Sequence, residues 1–149
     1  FVIRVLNQQT KDRIWSSTIH SLVPLLIGAF IYIGFRNRTT RFIEWLPTDV
    51  EHWIEEIQVT LKQFRIYLPN WFVNSLPDGL WAYSFTSAVL ICSTRSTKGI
   101  WIEIALVFLL IITVETAQFI RPEFGTFDVF DLLWMISGFL LSVKFFKNK

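Results

Sequence analysis

Glu115, Gln118, Arg121, Asp128 and Asp131 fall within one stretch, Val114 to Leu141, whose flanks are almost wholly apolar. Carboxylates with an amide and a guanidinium can do several kinds of chemistry. Brought close together, the carboxylates oppose each other's ionisation, which makes an acid/base pair. With Gln118 and Arg121 they can equally hold a cation, or pair the guanidinium with a phosphate or carboxylate headgroup. No nucleophile accompanies them: the chain has no GxSxG, no HExxH and no phosphate-cradling glycine loop, and its single cysteine, Cys92, lies elsewhere. No spacing calls for a metal or a cofactor.

The elements that must hold these residues are membrane helices. The chain is 52% hydrophobic and 17% aromatic, with a mean hydropathy of +0.45, more than a soluble core of this size needs. Its net charge is only +2, and the basic residues sit in small clusters beside apolar runs, which excludes nucleic acid as a partner and makes Lys and Arg topology signals. One cysteine excludes an internal disulfide, and Cys92 reads as a small buried hydrophobe.

A bilayer-crossing helix needs about 20 mostly apolar residues. Four candidates meet or approach this: Ile14 to Phe35, with Pro24 expected to kink it; Leu76 to Ser93; Gly99 to Ile120; and Phe127 to Phe146. The fold class is therefore all-α, an integral membrane domain of about four transmembrane helices spanning residues 1–149. Both termini then share one side, with Arg4, Lys11 and Arg13, then Arg95 and Lys98, then Lys144, Lys147 and Lys149, and that side is cytoplasmic by the positive-inside rule. The segments Arg36 to Ser75 and Arg121 to Thr126 fall on the outer face.

The first outer segment predicts an amphipathic interfacial helix over about Asp49 to Leu68. Thr48 and Glu51 have capping-box spacing, and Trp53, Ile54, Ile57, Leu61 and Phe64 form a helical stripe opposite Glu51, Glu55, Glu56 and Lys62. Trp45, Trp53, Trp71 and Trp81 cluster around it, as rings anchored at headgroup level do.

Glu115 and Gln118 share a face near the outer end of the third span, and Asp128 and Asp131 lie in the first turn or so of the fourth. The short hairpin "RPEFGT" joins the two helices, so the polar faces meet as one site. Asp128 either complements the helix dipole or belongs to that site. An ionised carboxylate at mid-helix costs about 2.5 to 3.5 kcal/mol, so Glu115 and Asp131 line a functional pocket or join a hydrogen-bond network with Gln118 and Arg121. His20, within the first span, is expected to make a helix-packing hydrogen bond, and Glu103 to be a boundary charge near Lys98.

Glu115-x-x-Gln118, a turn with Arg121 and Gly125, then Asp128-x-x-Asp131 and Gly138 resemble the signature of the VanZ-like family over roughly Leu76 to Leu141. This chain carries Met135 where the family pattern has Asn, and "PDGLWAYSF" offers Asp78 without the family's neighbouring Lys or His. The resemblance implies a small integral protein of the bacterial plasma membrane. It points to Glu115, Gln118, Arg121 and Asp131, with Asp78 and Asp128 beside them, and to a ligand that is an envelope lipid headgroup or cell-wall precursor, with a link to glycopeptide resistance or envelope maintenance.

Two further readings stand beside that one. Small residues Gly28, Ala29 and Gly34 on the first span suit a noncatalytic subunit docked on other membrane protein subunits. The carboxylate pair suits a membrane enzyme.

Overall fold

The computed structural model describes residues 11–35, 47–93, 97–121 and 128–147, and every element among them is helical. Helix α1 runs over Lys11–Phe35; α2 over Thr48–Lys62, followed by a 3-10 turn at Arg65–Tyr67; α3 over Asn70–Asn74; α4 over Leu76–Cys92; α5 over Thr97–Ile120; and α6 over Val129–Lys147. Three are long and apolar enough to cross a membrane: α1 with 25 residues, Lys98–Ile120 of α5 with 23, and Val129–Phe146 of α6 with 18. Helix α4 is shorter, at 17 residues.

Pro24 disturbs α1 in a specific way. A proline has no N–H and its ring crowds the carbonyl four residues back, here that of His20. The helix answers with a π-helical turn over Thr18–Leu22, in which Val23 N–H reaches Thr18 O. Widening the turn by one residue relieves the carbonyl that the ring would strike.

Helix α4 lies at the centre, packed along α6 and α1, while α5 joins through α6 and α4. Its inward face is small and polar rather than oily: Pro77, Gly79, Ala82, Ser84, Thr86 and Ser87 are buried. Small residues let backbones approach in the absence of a hydrophobic drive between helices in lipid. Gly79 lies against the backbone of Trp134, where an added Cβ would stand 2.8 Å from the carbonyl oxygen, and a Cβ on Gly138 would collide with the Gly79 carbonyl. Below this crossing, Ala82, Val107, Ile111 and Phe139 form the apolar core.

Several buried hydroxyls are bonded within the protein. Thr86 Oγ1 donates to Ala82 O at 2.6 Å, Ser84 Oγ donates to Ser21 O, and Ser87 Oγ meets Ser142 Oγ at 2.9 Å. His20 makes the expected packing bond, its Nδ1 standing 2.7 Å from the Tyr83 hydroxyl, with its ring against Phe145 and Phe146.

Helix α2 rests on the far end of α1. Ile54 is buried, Gln58 Nε2 donates to Ile33 O at 2.8 Å, and Leu61 covers Gly34. Those positions are spaced four and three residues apart, one side of a helix. Trp53, expected in the same stripe, is 67% exposed, and Phe64 is also exposed beyond the helix end. The capping box does not form either: Pro47 occupies the N-cap position, no side chain caps the helix, and Thr48 is its first residue. The prolyl carbonyl instead accepts from Val50 and Glu51 N–H, while Asp49 and Glu51 complement the dipole. Gln58→Ala is expected to cost about 1 kcal/mol, the worth of one hydrogen bond, and to speed amide exchange over residues 48–62 without changing α4. Hydrogen-exchange mass spectrometry checks both parts.

Cys92 is exposed rather than buried. It is the last residue of α4, so an apolar neighbourhood in sequence does not become a covered one in space. Trp45, Arg36, Arg38, Arg41 and Arg95 lie outside the described residues. Glu103 is half-buried.

Candidate functional site

The polar residues at the start of α6 and the end of α5 meet where α3 and α4 begin. Near the end of an otherwise apolar α5, Glu115 is 4% exposed; three residues into the next helix, Asp131 is 6% exposed. Asp131 and Asp128 both act electrostatically on Glu115, so the two helices bring the carboxylates together as the hairpin requires. One Glu115 oxygen, Oε2, is enclosed without a hydrogen-bond partner. A network satisfying Glu115 completely is therefore not what the site contains. Gln118 is half-buried one turn further on, and Arg121 is exposed at the helix end, its N–H bonded to Ala117 O at 2.8 Å.

Asp128 does both of the things its position allows. Its Oδ1 accepts from Phe130 N at 2.9 Å, an N-cap for α6, and its carbonyl accepts from Leu132 N. The side chain also lines a pocket of about 250 Å3 with Asn70, Trp71, Asn74, Ser75 and Phe130. Asp131 lies one helical turn deeper, about 4.5 Å along the axis for three residues. Asp78 sits half-buried in the first turn of α4, beside the Gly79 contact with α6.

On the α3 side of this pocket only Trp71 is among the residues singled out from sequence; the amides of Asn70 and Asn74 are not. Asn70 and Asn74 are four apart, so even a single helical turn sets both on one side. The turn forms because Pro69 and Pro77 bracket the segment: Pro69 takes the N-cap of α3, and Pro77 lies in the first turn of α4, where a missing N–H costs nothing. Ser75, between them, is 1% exposed. Trp71 stacks on Trp134 of α6 with centroids 5.2 Å apart and rings 10° from parallel, which ties α3 to α6. Trp71, expected from sequence as an interfacial anchor, is seen here in a packing role against α6. A helical reading of "PNWFVNS" would have found the pair of amides; at five residues the segment is too short to show periodicity.

A larger cleft, about 550 Å3, opens between α1 and α4 beside Ser17, Ser21, Leu25, Trp81 and Phe85. It holds no ionisable side chain. Among the described residues no group of three or more His, Cys, Asp or Glu side chains is placed to hold a metal ion. The chemistry of the pocket between α3 and the start of α6 is thus hydrogen bonding and charge: two amides, an aromatic ring and the carboxylate of Asp128.

Comparison with protein-family models, with characterised proteins and with solved structures found no match to this chain.

Proposed function

We propose that the chain is an integral membrane protein of four spans, VanZ-like in kind, whose pocket between α3 and the start of α6, beside the carboxylates of Glu115 and Asp131, binds the polar headgroup of an envelope lipid or a cell-wall precursor. The observation that carries this reading is Glu115: a carboxylate 4% exposed in an apolar helix, with one oxygen enclosed and unpartnered. A charge at that depth costs about 2.5 to 3.5 kcal/mol, and a helix that needed only to pack would place leucine there. Helix α4 supplies the fourth span. Its 17 residues reach about 26 Å at 1.5 Å each, close to the ~30 Å of hydrocarbon. By the positive-inside rule, the lysines and arginines near the opposite ends of the spans support an outer-face pocket in a bacterial plasma membrane, with α2 in the headgroup layer above α1.

Mass spectrometry of the protein extracted in native membrane discs tests this. A lipid or precursor retained by the wild-type protein, and lost from a Glu115→Gln, Asp131→Asn double variant that remains folded, is the expected result. A stoichiometric protein partner held equally by both, with no bound small molecule, would make the cluster structural and the chain a subunit of a larger complex. That second reading loses its best sequence support in the fold: Gly28 is covered by Trp81 and Gly34 by Leu61, so neither is left to receive a neighbouring helix.

A further inference from the structure

We infer that the headgroup taken by the pocket between α3 and the start of α6 is an uncharged hexosyl group, so that the ligand is a glycosylated lipid. This rests on the headgroup-binding reading above and names its chemical class. A sugar presents two surfaces: a rim of hydroxyls that both donate and accept, and an apolar face of C–H bonds. The pocket offers a match for each.

For the hydroxyls there are two side-chain amides and a carboxylate. Asn70 Oδ1 accepts from Arg65 Nη2 at 2.9 Å, which leaves the amide nitrogen of Asn70 to donate. Asn74 supplies a second amide one turn on. Asp128 spends Oδ1 on the N-cap bond to Phe130 and keeps Oδ2 as an acceptor. An array of two donors and a carboxylate oxygen matches neighbouring hydroxyls on a ring.

For the apolar face there is Trp71. Its indole is held by the stack on Trp134, yet 46% of the residue stays exposed, and Phe130 forms the opposite wall. An aromatic ring fixed in this way binds at little cost in side-chain entropy. The volume fits as well: about 250 Å3 equals roughly eight waters at about 30 Å3 each, the bulk of one monosaccharide.

Charge decides against a phosphate. No lining residue is basic, and the one ionisable side chain in the lining, Asp128, is an acid. The guanidinium of Arg65, at the pocket's edge, is already engaged by Leu68 O and Asn70 Oδ1. An acidic lining of this kind favours an uncharged polyol over an anionic headgroup.

The test uses the full chain in discs of phosphatidylcholine doped with one probe lipid of matched acyl chains: monohexosyl diacylglycerol, plain diacylglycerol, phosphatidylglycerol or phosphatidylethanolamine. Binding is read by native mass spectrometry. The hexosyl lipid is expected to bind at least tenfold more tightly than the other three, and Trp71→Ala or Asn74→Leu to remove that preference while the helical circular dichroism is unchanged. Trp71→Ala also breaks the stack on Trp134, so Asn74→Leu carries the test if the tryptophan variant unfolds. Preference for phosphatidylethanolamine or phosphatidylglycerol, abolished by Glu115→Gln with Asp131→Asn but indifferent to Asn74→Leu, would overturn the hexosyl assignment and leave headgroup binding standing. Equal retention of all four lipids by wild type and variants would overturn both.

Discussion

Gly138→Leu is expected to yield no folded protein. A Cβ at this position would fall on the carbonyl of Gly79, and the next atoms it would meet are the backbone of Gly79 and Tyr83, so nothing in its path can rotate away. Added methylenes in a well-packed interior cost about 1 to 3 kcal/mol when side chains can yield. Here two helix backbones would have to part, along the line where α4 and α6 are most closely joined. Gly138→Ala should therefore cost about 3 kcal/mol, at the top of that range, and leucine should prevent the pair from forming. Gly34→Ala is the control: its Cβ would meet only the terminal Cδ1 of Leu61, at 2.7 Å, and a leucine end can swing aside. Size-exclusion profiles and unfolding midpoints in mild detergent separate the three variants. A Gly138→Leu protein that melts with the wild type would mean that α4 and α6 do not cross where the two glycines face each other.

Replacing Glu115 by Gln and Asp131 by Asn should make the protein more stable and, on the proposed function, inactive. Both carboxylates are buried, they lie near each other and near Asp128, and one Glu115 oxygen lacks a partner. Each amide is close in shape to the acid it replaces. The change therefore removes burial of charge and mutual repulsion without leaving a cavity. A gain of about 2 kcal/mol corresponds to roughly 4 to 8 °C in the unfolding midpoint of a chain of this length. Binding of the headgroup ligand should fall at least tenfold, since the acceptors beside the pocket lose their charge. Thermal unfolding in delipidated detergent, paired with binding in discs, gives both numbers. Destabilisation by the double variant would show instead that the carboxylates hold the helices together.

The three long apolar helices are readable from apolar run lengths, because a membrane helix must satisfy its backbone internally. The convergence of Glu115 and Asp131 is readable too, since a hairpin as short as "RPEFGT" leaves two helices few ways to lie. Details set by contact escape such reading. Pro24 announces a disturbance in α1 but not that it takes the form of a π-turn at Thr18–Leu22. Trp53 and Ile54 both fit an apolar stripe, yet only Ile54 is covered, because Gln58 and Leu61 fix which side of α2 meets α1. Asn70 and Asn74 belong to a segment too short for any period to show, and their place in the site depends on the stack of Trp71 on a helix more than fifty residues away. The glycines of α1 advertise close packing without saying against what; Trp81 and Leu61 are the answer.

The polar inward face of α4 has a consequence for how the protein is made. A segment carrying Pro77, Asp78, Gly79, Ser84, Thr86 and Ser87 is a weak candidate for entering lipid alone, and its principal partner, α6, is synthesised only after α5. While the ribosome completes α5 and α6, α4 has only α1 to shelter its hydroxyls, through the Ser84 bond to Ser21 and the Tyr83 contact with His20. On the four-span proposal the order of entry is then not the order of synthesis: α4 would settle across the bilayer only when α6 arrives to take Ser87 against Ser142 and Gly79 against Trp134. Nascent chains that end before residue 128 should leave α4 outside the membrane core, open to proteases and quality-control factors that the finished bundle escapes.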